Sequence, residues 1–445
     1  MLHRLPRVAL AMCLLLPACL PASAQDDGSA ERLRIHGSNT LGDALVPAMV
    51  ESWLHHIGYT GIRRKAVSAQ QTEIRATRDG MPLIVEIGKR GSAAGFSDLV
   101  EGNAEIAMLA RAPDAAEREA AWQLGDLESP DQEFVVAVDG LAVVVNERNP
   151  VRRLSVAQLR ELVTGRIGDW SGLGGRNAPI HLHLARAPSG NRDFLRERVL
   201  GAAPAAANAQ THATLAQAAR AVAADPDAVA VVGVASAIPR GTRTLAIADG
   251  GLAILPTRIN VMSEDYPLVR RYRLYGGPLM SALGRSFAQY SVGREAQQAV
   301  ERAGFLAMTL RPASQPRAPD AAQPYGQAVA GTERLPLSLR FNAASLTTFF
   351  DSRGANDLER LIAYMRLPQN QGRQVTVVGF SHDDGSNRLI ATVRSNQHAD
   401  TVADHLVKQG IPVQRSIGMG ATRALGGGAD AGTRYRNERV EVWVR

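Results

Sequence analysis

Three segments of this chain combine glycine with hydroxyl or amide side chains where a strand-like run gives way to a helix-like one. They are Gly37-Ser38-Asn39-Thr40, Gly91-Ser92-Ala93 and Ser189-Gly190-Asn191. A helix start carries unpaired backbone N–H groups and the positive end of the peptide dipole, so it favours an anion. Small residues let backbone approach a ligand, and hydroxyls add donors. One such turn is ordinary N-capping; three of them, with Arg111 and Arg186 at nearby strand ends, point to an oxyanion site. Metal chemistry has weaker support, because His181 and His183 alternate along one strand with no third ligand at a supporting spacing. No serine or cysteine stands as a nucleophile with partnered His and Asp, so neither turnover nor a cofactor is expected.

The elements that must position these residues follow from hydrophobic patterning. Arg32–His36 reads as a strand, and a helix then runs to about His56 with Ala44, Leu45, Ala48, Met49 and Trp53 near helical spacing. Pro47 sits early in it, so the regular helix begins after Thr40. Leu83–Ile87 is a strand, followed by a helix from Phe96, and Ile106–Leu109, Leu141–Val145 and Val229–Val234 are short apolar runs of buried-strand type. Strands alternating with helices mean an α/β architecture. From Arg311 to Arg334, Pro312, Pro316, Pro319 and Pro324 stand among Ala and Gln, a composition that makes an extended spacer. Beyond it, strands at Ser338–Phe341, Gln374–Val378 and Arg439–Val444 alternate with helices at Ala355–Met365 and Ser395–Lys408, a compact βαβαβ unit. The expected organisation is a leader over 1–24, a binding domain over 31–310, a linker over 311–334 and a small domain over 335–445, the two domains folding independently.

The leader is of secretory type. His3, Arg4 and Arg7 precede the apolar run Val8–Leu16, and Ala22-Ser23-Ala24 is a small-residue cleavage site. Both cysteines, Cys13 and Cys19, lie inside it, so cleavage leaves no thiol; Leu16-Pro17-Ala18-Cys19 is a second, lipoprotein-type possibility that would anchor the chain through Cys19. The formal net charge is +7, yet only Lys65, Lys89 and Lys408 of the 50 basic residues are lysine. No basic cluster carries interleaved aromatics, which argues against nucleic acid.

Several segments carry a family resemblance. "GSNTLGDALVPAMVESW", "RGSAAGFSDLVEGNAEIAMLAR", "VDGLAVVVNERNPVRRLSVAQLRELVTGRIGDWSGLGG", "ARAPSGNRDF" and "DYPLVRRYRLY" follow one another as in PstS-type phosphate-binding proteins. The resemblance covers about Arg32 to Leu310 and implies a two-lobed, class II flytrap fold with ligand in the cleft. Its contacts carry over to Ser38, Thr40, Ser92, Arg111, Arg186, Ser189, Gly190 and Asn191. This chain departs from the pattern at Arg186-Ala187-Pro188, which has no Asp, and at Asn191, where the family has Thr. A cleft with donors and no acceptor suits a fully ionised oxyanion. Trp170 and Asp139 match family positions with structural roles.

"LPLSLRFNAASLTTFFDSRGANDLERLIAYM", "VTVVGFSHDDGS", "HADTVADHLVKQGIP" and the closing "RYRNERVEVWV" resemble OmpA-like peptidoglycan-binding domains. That family grips diaminopimelate with an Asp on the loop after the central strand and an Arg on the next helix, matching the ligand's ammonium and carboxylate. Here His382 or Asp383 stands at the acid position, and His398 at the basic one with Arg394 a turn earlier. A neutral His is a poor replacement for guanidinium, so wall binding is expected to be weak at neutral pH and to strengthen as His398 protonates. The resulting expectation is a periplasmic, wall- or outer-membrane-associated binding protein for phosphate or a similar oxyanion, serving an ABC importer or another envelope partner. The alternative is a non-transport scaffold or sensor with a degenerate cleft.

Overall fold

The structure, a computed structural model, describes residues 30–187, 189–312, 322–341, 349–383, 385 and 387–445. The expected leader and residues 313–321 of the expected spacer lie outside them.

The chain opens with β1 (Glu31–Gly37), a π-helical turn at Leu41–Leu45 and α1 (Val46–His56). The helical run begins at Asn39, and Pro47, which has no N–H to donate, sits just past its π turn, so the regular helix starts beyond Thr40. A hairpin follows that the sequence reading did not include, β2 (Thr60–Ser68) and β3 (Gln71–Arg78), and then β4 (Met81–Gly88). Exposure runs along almost all of β2, so no apolar alternation marks it. Next come α2 (Ser92–Val100), β5 (Ile106–Leu109) and α3 (Ala115–Ala120). β1 lies between β4 and β5, parallel to both.

The 14-residue strand β6 (Glu133–Asn146) connects two halves of the molecule. Its first half pairs with β13 and its second with β10 and β11. The second half of the domain contains β7 (Arg153–Ser155), α4 (Val156–Val163), β8 (His181–Ala185), α5 (Gly190–Leu195), β9 (Gln210–His212), α6 (Leu215–Ala224), β10 (Ala228–Gly233), β11 (Thr242–Thr244), β12 (Ala246–Ala248) and α7 (Arg258–Met262). The chain returns along β13 (Val269–Gly276) to α8 (Ala282–Val292) and α9 (Arg294–Arg302) on the first half. The result is one mixed, curled sheet in the order β2-β3-β4-β1-β5-β13-β6-β10-β8-β9, with β11 on β6. Two cores make it two lobes. Leu33, Ile35, Trp53 and Phe287 pack in lobe one, and Val143, Trp170, Leu182 and Val231 pack in lobe two.

The C-terminal unit comprises α10 (Pro324–Ala328), β14 (Glu333–Arg340), α11 (Ser352–Met365), β15 (Val375–Phe380), α12 (Arg388–Lys408), β16 (Val413–Gly418), α13 (Ala431–Asn437) and β17 (Arg439–Val444), with sheet order β14-β17-β15-β16. β16 and α13 extend the expected βαβαβ pattern. The expected spacer is also shorter than read. From Pro324 the chain is helical, Tyr325 packs against Phe380 and Trp443, and its hydroxyl donates to Glu441 at 2.6 Å. Burial of an aromatic ring and of the β14 leucines outweighs the local Pro/Ala/Gln composition. No helix among the described residues is long and apolar enough to cross a membrane.

Candidate functional site

Parallel strands β1 and β4 end side by side, and their exits carry the first two glycine–hydroxyl turns. Gly37 has φ 146°, and a Cβ there would lie 2.0 Å from Met108 O. A Cβ on Gly95 of α2 would meet Gly37 Cα at 2.2 Å, so the glycine pair lets α2 sit directly on β1. Gly91 N–H donates to Gly37 O at 2.9 Å, which joins the Ser38 and Ser92 turns. Ser38 is buried, and Ser92 Oγ accepts from Ala110 N–H at 3.2 Å.

The third turn comes from lobe two. Ser189 caps α5, its Oγ accepting from Arg192 N–H at 3.3 Å. Gly190 then faces Thr40 of lobe one so closely that a Cβ would stand 2.6 Å from Thr40 Oγ1. Between the lobes lies a cavity of about 440 Å³ whose lining includes Thr40, Arg186, Ser189, Gly190 and Asn191. Five of the eight residues expected at the anion are thus brought to one cavity. Ser38 and Ser92 occupy the adjoining lobe-one turns and are not among its lining residues.

Arg111 stands apart. It lines a second, larger cavity of about 880 Å³ bounded by both lobes and the C-terminal unit. Its guanidinium makes two 2.6 Å bonds to Glu117. That hydrogen-bonded pair holds the Arg111 pKa above its ordinary value against the opposing effect of burial. Glu117 is in turn fixed by a capping box with Asp114, so Arg111 is committed to an internal partner. Arg186 is exposed, and its backbone N–H is tied to His212 O at 2.8 Å.

The structure adds a group to the smaller cavity that sequence reasoning treated as structural or left unassigned. Arg270 and Asp139 are register partners across β13 and β6, and both line the cavity. Asp139 Oδ2 accepts from Arg270 Nη2 at 2.7 Å, Arg270 Nε at 3.2 Å and Tyr272 Oη at 2.8 Å. Arg270 further donates to Gly190 O at 2.8 Å and Asn191 Oδ1 at 3.2 Å, and lies over the Phe194 and Tyr272 rings. Burial would lower the Arg270 pKa, but Tyr272 and Asp139 hold it above its ordinary value. Arg270 therefore orients the carbonyl of Gly190 and turns the amide nitrogen of Asn191 away from itself. The reading of a cleft with donors and no acceptor is corrected: Asp139 is a carboxylate on the cavity wall, and its Oδ1 has no hydrogen-bond partner among the described residues.

In lobe two, His183 Nδ1 and His212 Nε2 share a 2.9 Å hydrogen bond, and burial followed by the neighbouring His212 lowers the His183 pKa. Among the described residues no His/Cys/Asp/Glu group could hold a metal ion.

In the C-terminal unit, the loop after β15 and the first turns of α12 both reach the start of β17. His382 is buried and accepts from Asn437 Nδ2 at 3.1 Å, while Arg394 Nη1 lies 3.4 Å from Glu438 Oε1. Asp383 is exposed, its Oδ1 accepting from Gly385 N–H at 3.0 Å; its neighbour Asp384 lies outside the described residues. His398 stacks on Phe341 at 4.0 Å and its Nδ1–H donates to Phe380 O at 3.3 Å. Burial lowers its pKa, which opposes the expected role as a cation recruited on mild acidification.

A family model for a PBP superfamily domain matches residues 61–295, more than half of the chain. The chain belongs to the PBP superfamily. Among curated relatives, the phosphate-binding protein PstS of Bacillus subtilis is 26% identical over 51% of this chain and 71% of its own length. PstS 2 of Streptococcus agalactiae is 35% identical, but the match spans only 20% of this chain and 27% of that protein. Among solved structures, an ABC-type phosphate transport receptor from Vibrio cholerae matches 62% of this chain and 99% of its own, with TM-score 0.50 and 21% identity. A possible phosphate-binding protein from Planctomyces limnophilus matches with TM-score 0.50 and 19% identity, over 62% and 93% of the two chains. At these identities the two structures establish the two-lobed PBP fold.

Proposed function

We propose that this PBP-superfamily chain binds phosphate or a similar oxyanion in the smaller interlobe cavity and works outside the cytoplasm as a binding protein rather than an enzyme. The observation that carries the reading is the convergence of Thr40, Arg186 and the Ser189–Asn191 helix start on one cavity of about 440 Å³. The phosphate-binding relatives support the ligand class and an ABC importer as partner. Asp139 favours an oxyanion that still carries a proton. Its Oδ1 accepts a hydrogen bond from hydrogen phosphate and repels the lone pairs of sulfate, and a site built around a ligand hydroxyl rejects the analogue that lacks it. Calorimetry of the full chain against phosphate and sulfate tests this, with tighter phosphate binding expected and the preference narrowed in Asp139→Asn. Equal binding of the two anions removes Asp139 from selectivity; absence of binding favours the scaffold reading.

The C-terminal unit is read as an OmpA-like module that associates with peptidoglycan through Asp383 and Arg394. Their placement on the β15 exit loop and the early turns of α12 supports this, while the burial of His382 and the stacking of His398 on Phe341 assign those two histidines to packing. Co-sedimentation of the full chain with purified sacculi, lost in Asp383→Ala, is the expected result; retention by that variant would discard the assignment.

A further inference from the structure

Two consecutive residues of α11 hold different lobes. Ser352 Oγ donates to Glu133 Oε2, and Glu133 lies on lobe one, where it also accepts from Arg273 Nε at 2.6 Å and Tyr275 Oη at 2.7 Å. Arg353 pairs with Glu264 and donates to Met262 O on lobe two. Each lobe has further ties to the same unit. Arg360 Nη2 reaches Val292 O of lobe one at 3.4 Å. On lobe two, Arg334 Nη2 bonds Asp265 Oδ2 at 2.6 Å, Arg436 Nη2 bonds Asp249 Oδ2 at 2.6 Å, and Gly427 N–H donates to Asp249 O at 3.0 Å. Between these anchors, Arg271 of the return strand β13 bonds Asp351 at 2.7 Å.

We propose that the C-terminal unit is a brace that fixes the angle between the two lobes, so that the cleft keeps one opening with or without ligand. The lobes are joined by β6 and β13, and rotation about those strands would carry Glu133 and Val292 away from Glu264, Asp265 and Asp249. The C-terminal unit has its own four-stranded sheet and core, so it cannot follow both lobes at once. Ser352, Arg353, Arg334, Asp265 and Glu133 are all buried. Opening must therefore break one set of ties. Parting from lobe two strips buried Arg353 and Arg334 of their partners Glu264 and Asp265, which is costly. Parting from lobe one breaks the buried Ser352–Glu133 hydrogen bond and the Arg360–Val292 contact. The inference stands on the contacts and holds whatever the cleft binds.

Cys13 and Cys19 are the two cysteines of the sequence, so with both replaced by Ser a label pair at exposed Glu119→Cys on α3 and Ala157→Cys on α4 reports the interlobe distance in the full chain by pulsed electron paramagnetic resonance. The expected result is one narrow distance distribution, unchanged by saturating phosphate. Removing the lobe-one ties in Ser352→Ala/Arg360→Ala leaves the lobe-two anchors and should broaden that distribution. Glu133 keeps Arg273 and Tyr275 in this variant, so no buried carboxylate is orphaned. A broad or phosphate-shifted distribution in the parent chain overturns the brace without recourse to any variant. A distribution that stays equally narrow in the double variant overturns it too, since the contacts would then restrain nothing. Parallel calorimetry shows whether phosphate binds at all, which separates failure of the brace from failure of the oxyanion reading.

Discussion

At the scale of residues, Arg111 and Arg186 look alike in sequence, since each follows a buried strand near a glycine–hydroxyl turn. The structure distinguishes them by their partners. Glu117 takes both ends of the Arg111 guanidinium, while Arg186 lines the smaller cavity. Arg186→Ala should therefore weaken phosphate binding by about 1.5–3 kcal/mol, the usual worth of a hydrogen bond to a charged group, or on the order of 10- to 150-fold in Kd. Arg111→Ala should leave affinity within about twofold, as expected for a side chain outside the binding set. Calorimetric titration of both variants checks the pair, and a reversed order would move the site into the larger cavity. What the sequence concealed was the pairing of Arg270 with Asp139, which lie 131 residues apart and meet through the register of β13 on β6. The turn motifs are local and legible; a cross-strand ion pair depends on a register that local patterns do not encode.

At the scale of elements, continuous apolar runs located strands such as β5 and β10 because both of their faces are buried, and helical spacing located α1 because one face is apolar. Such patterning failed for β2, whose residues are almost all exposed, and at α10, where composition suggested a spacer and tertiary burial of Tyr325 decided otherwise. The same competition governs His398 on α12. The family resemblance placed it at a basic position, yet stacking on Phe341 and a hydrogen bond to the Phe380 carbonyl leave its ring half-buried. The folded state disfavours protonated His398, mainly through burial, whereas the unfolded chain takes up a proton near pH 6.5. Below about pH 6.5 the unfolded state thus binds more protons, and by linkage the stability contribution present above that pH is lost as acidity rises. Thermal unfolding of the full chain should show a lower midpoint at pH 5 than at pH 7.5. His398→Gln should flatten part of that dependence, and an identical pH profile in the variant would show that His398 is not its source.

At the scale of the whole molecule, the composition break near residue 311 suggested two units that fold separately, and the contacts argue for one cooperative body. Asp265 of lobe two meets Arg334 and Arg340 of the C-terminal unit, and the same Arg334 lies 3.7 Å from Glu441 on β17. All four side chains are buried. The attraction of Asp265 and Glu441 holds the Arg334 pKa above its ordinary value although burial opposes it. Removing one member of such a group leaves its partners charged in a poorly solvated interior, at a typical cost of about 3–5 kcal/mol. In scanning calorimetry the full chain should therefore unfold in one transition, because neither unit can lose the other without exposing these charges. Arg334→Ala should split that transition in two, with Asp265 relying on Arg340 and Glu441 on Arg439 and the Tyr325 hydroxyl. Raising the salt from about 0.15 to 1 M should not reproduce the split, since screening acts on exposed charges and only weakly on buried ones. Two well-separated transitions in the parent chain would show that the interface contributes no coupling and would return the molecule to two independent domains.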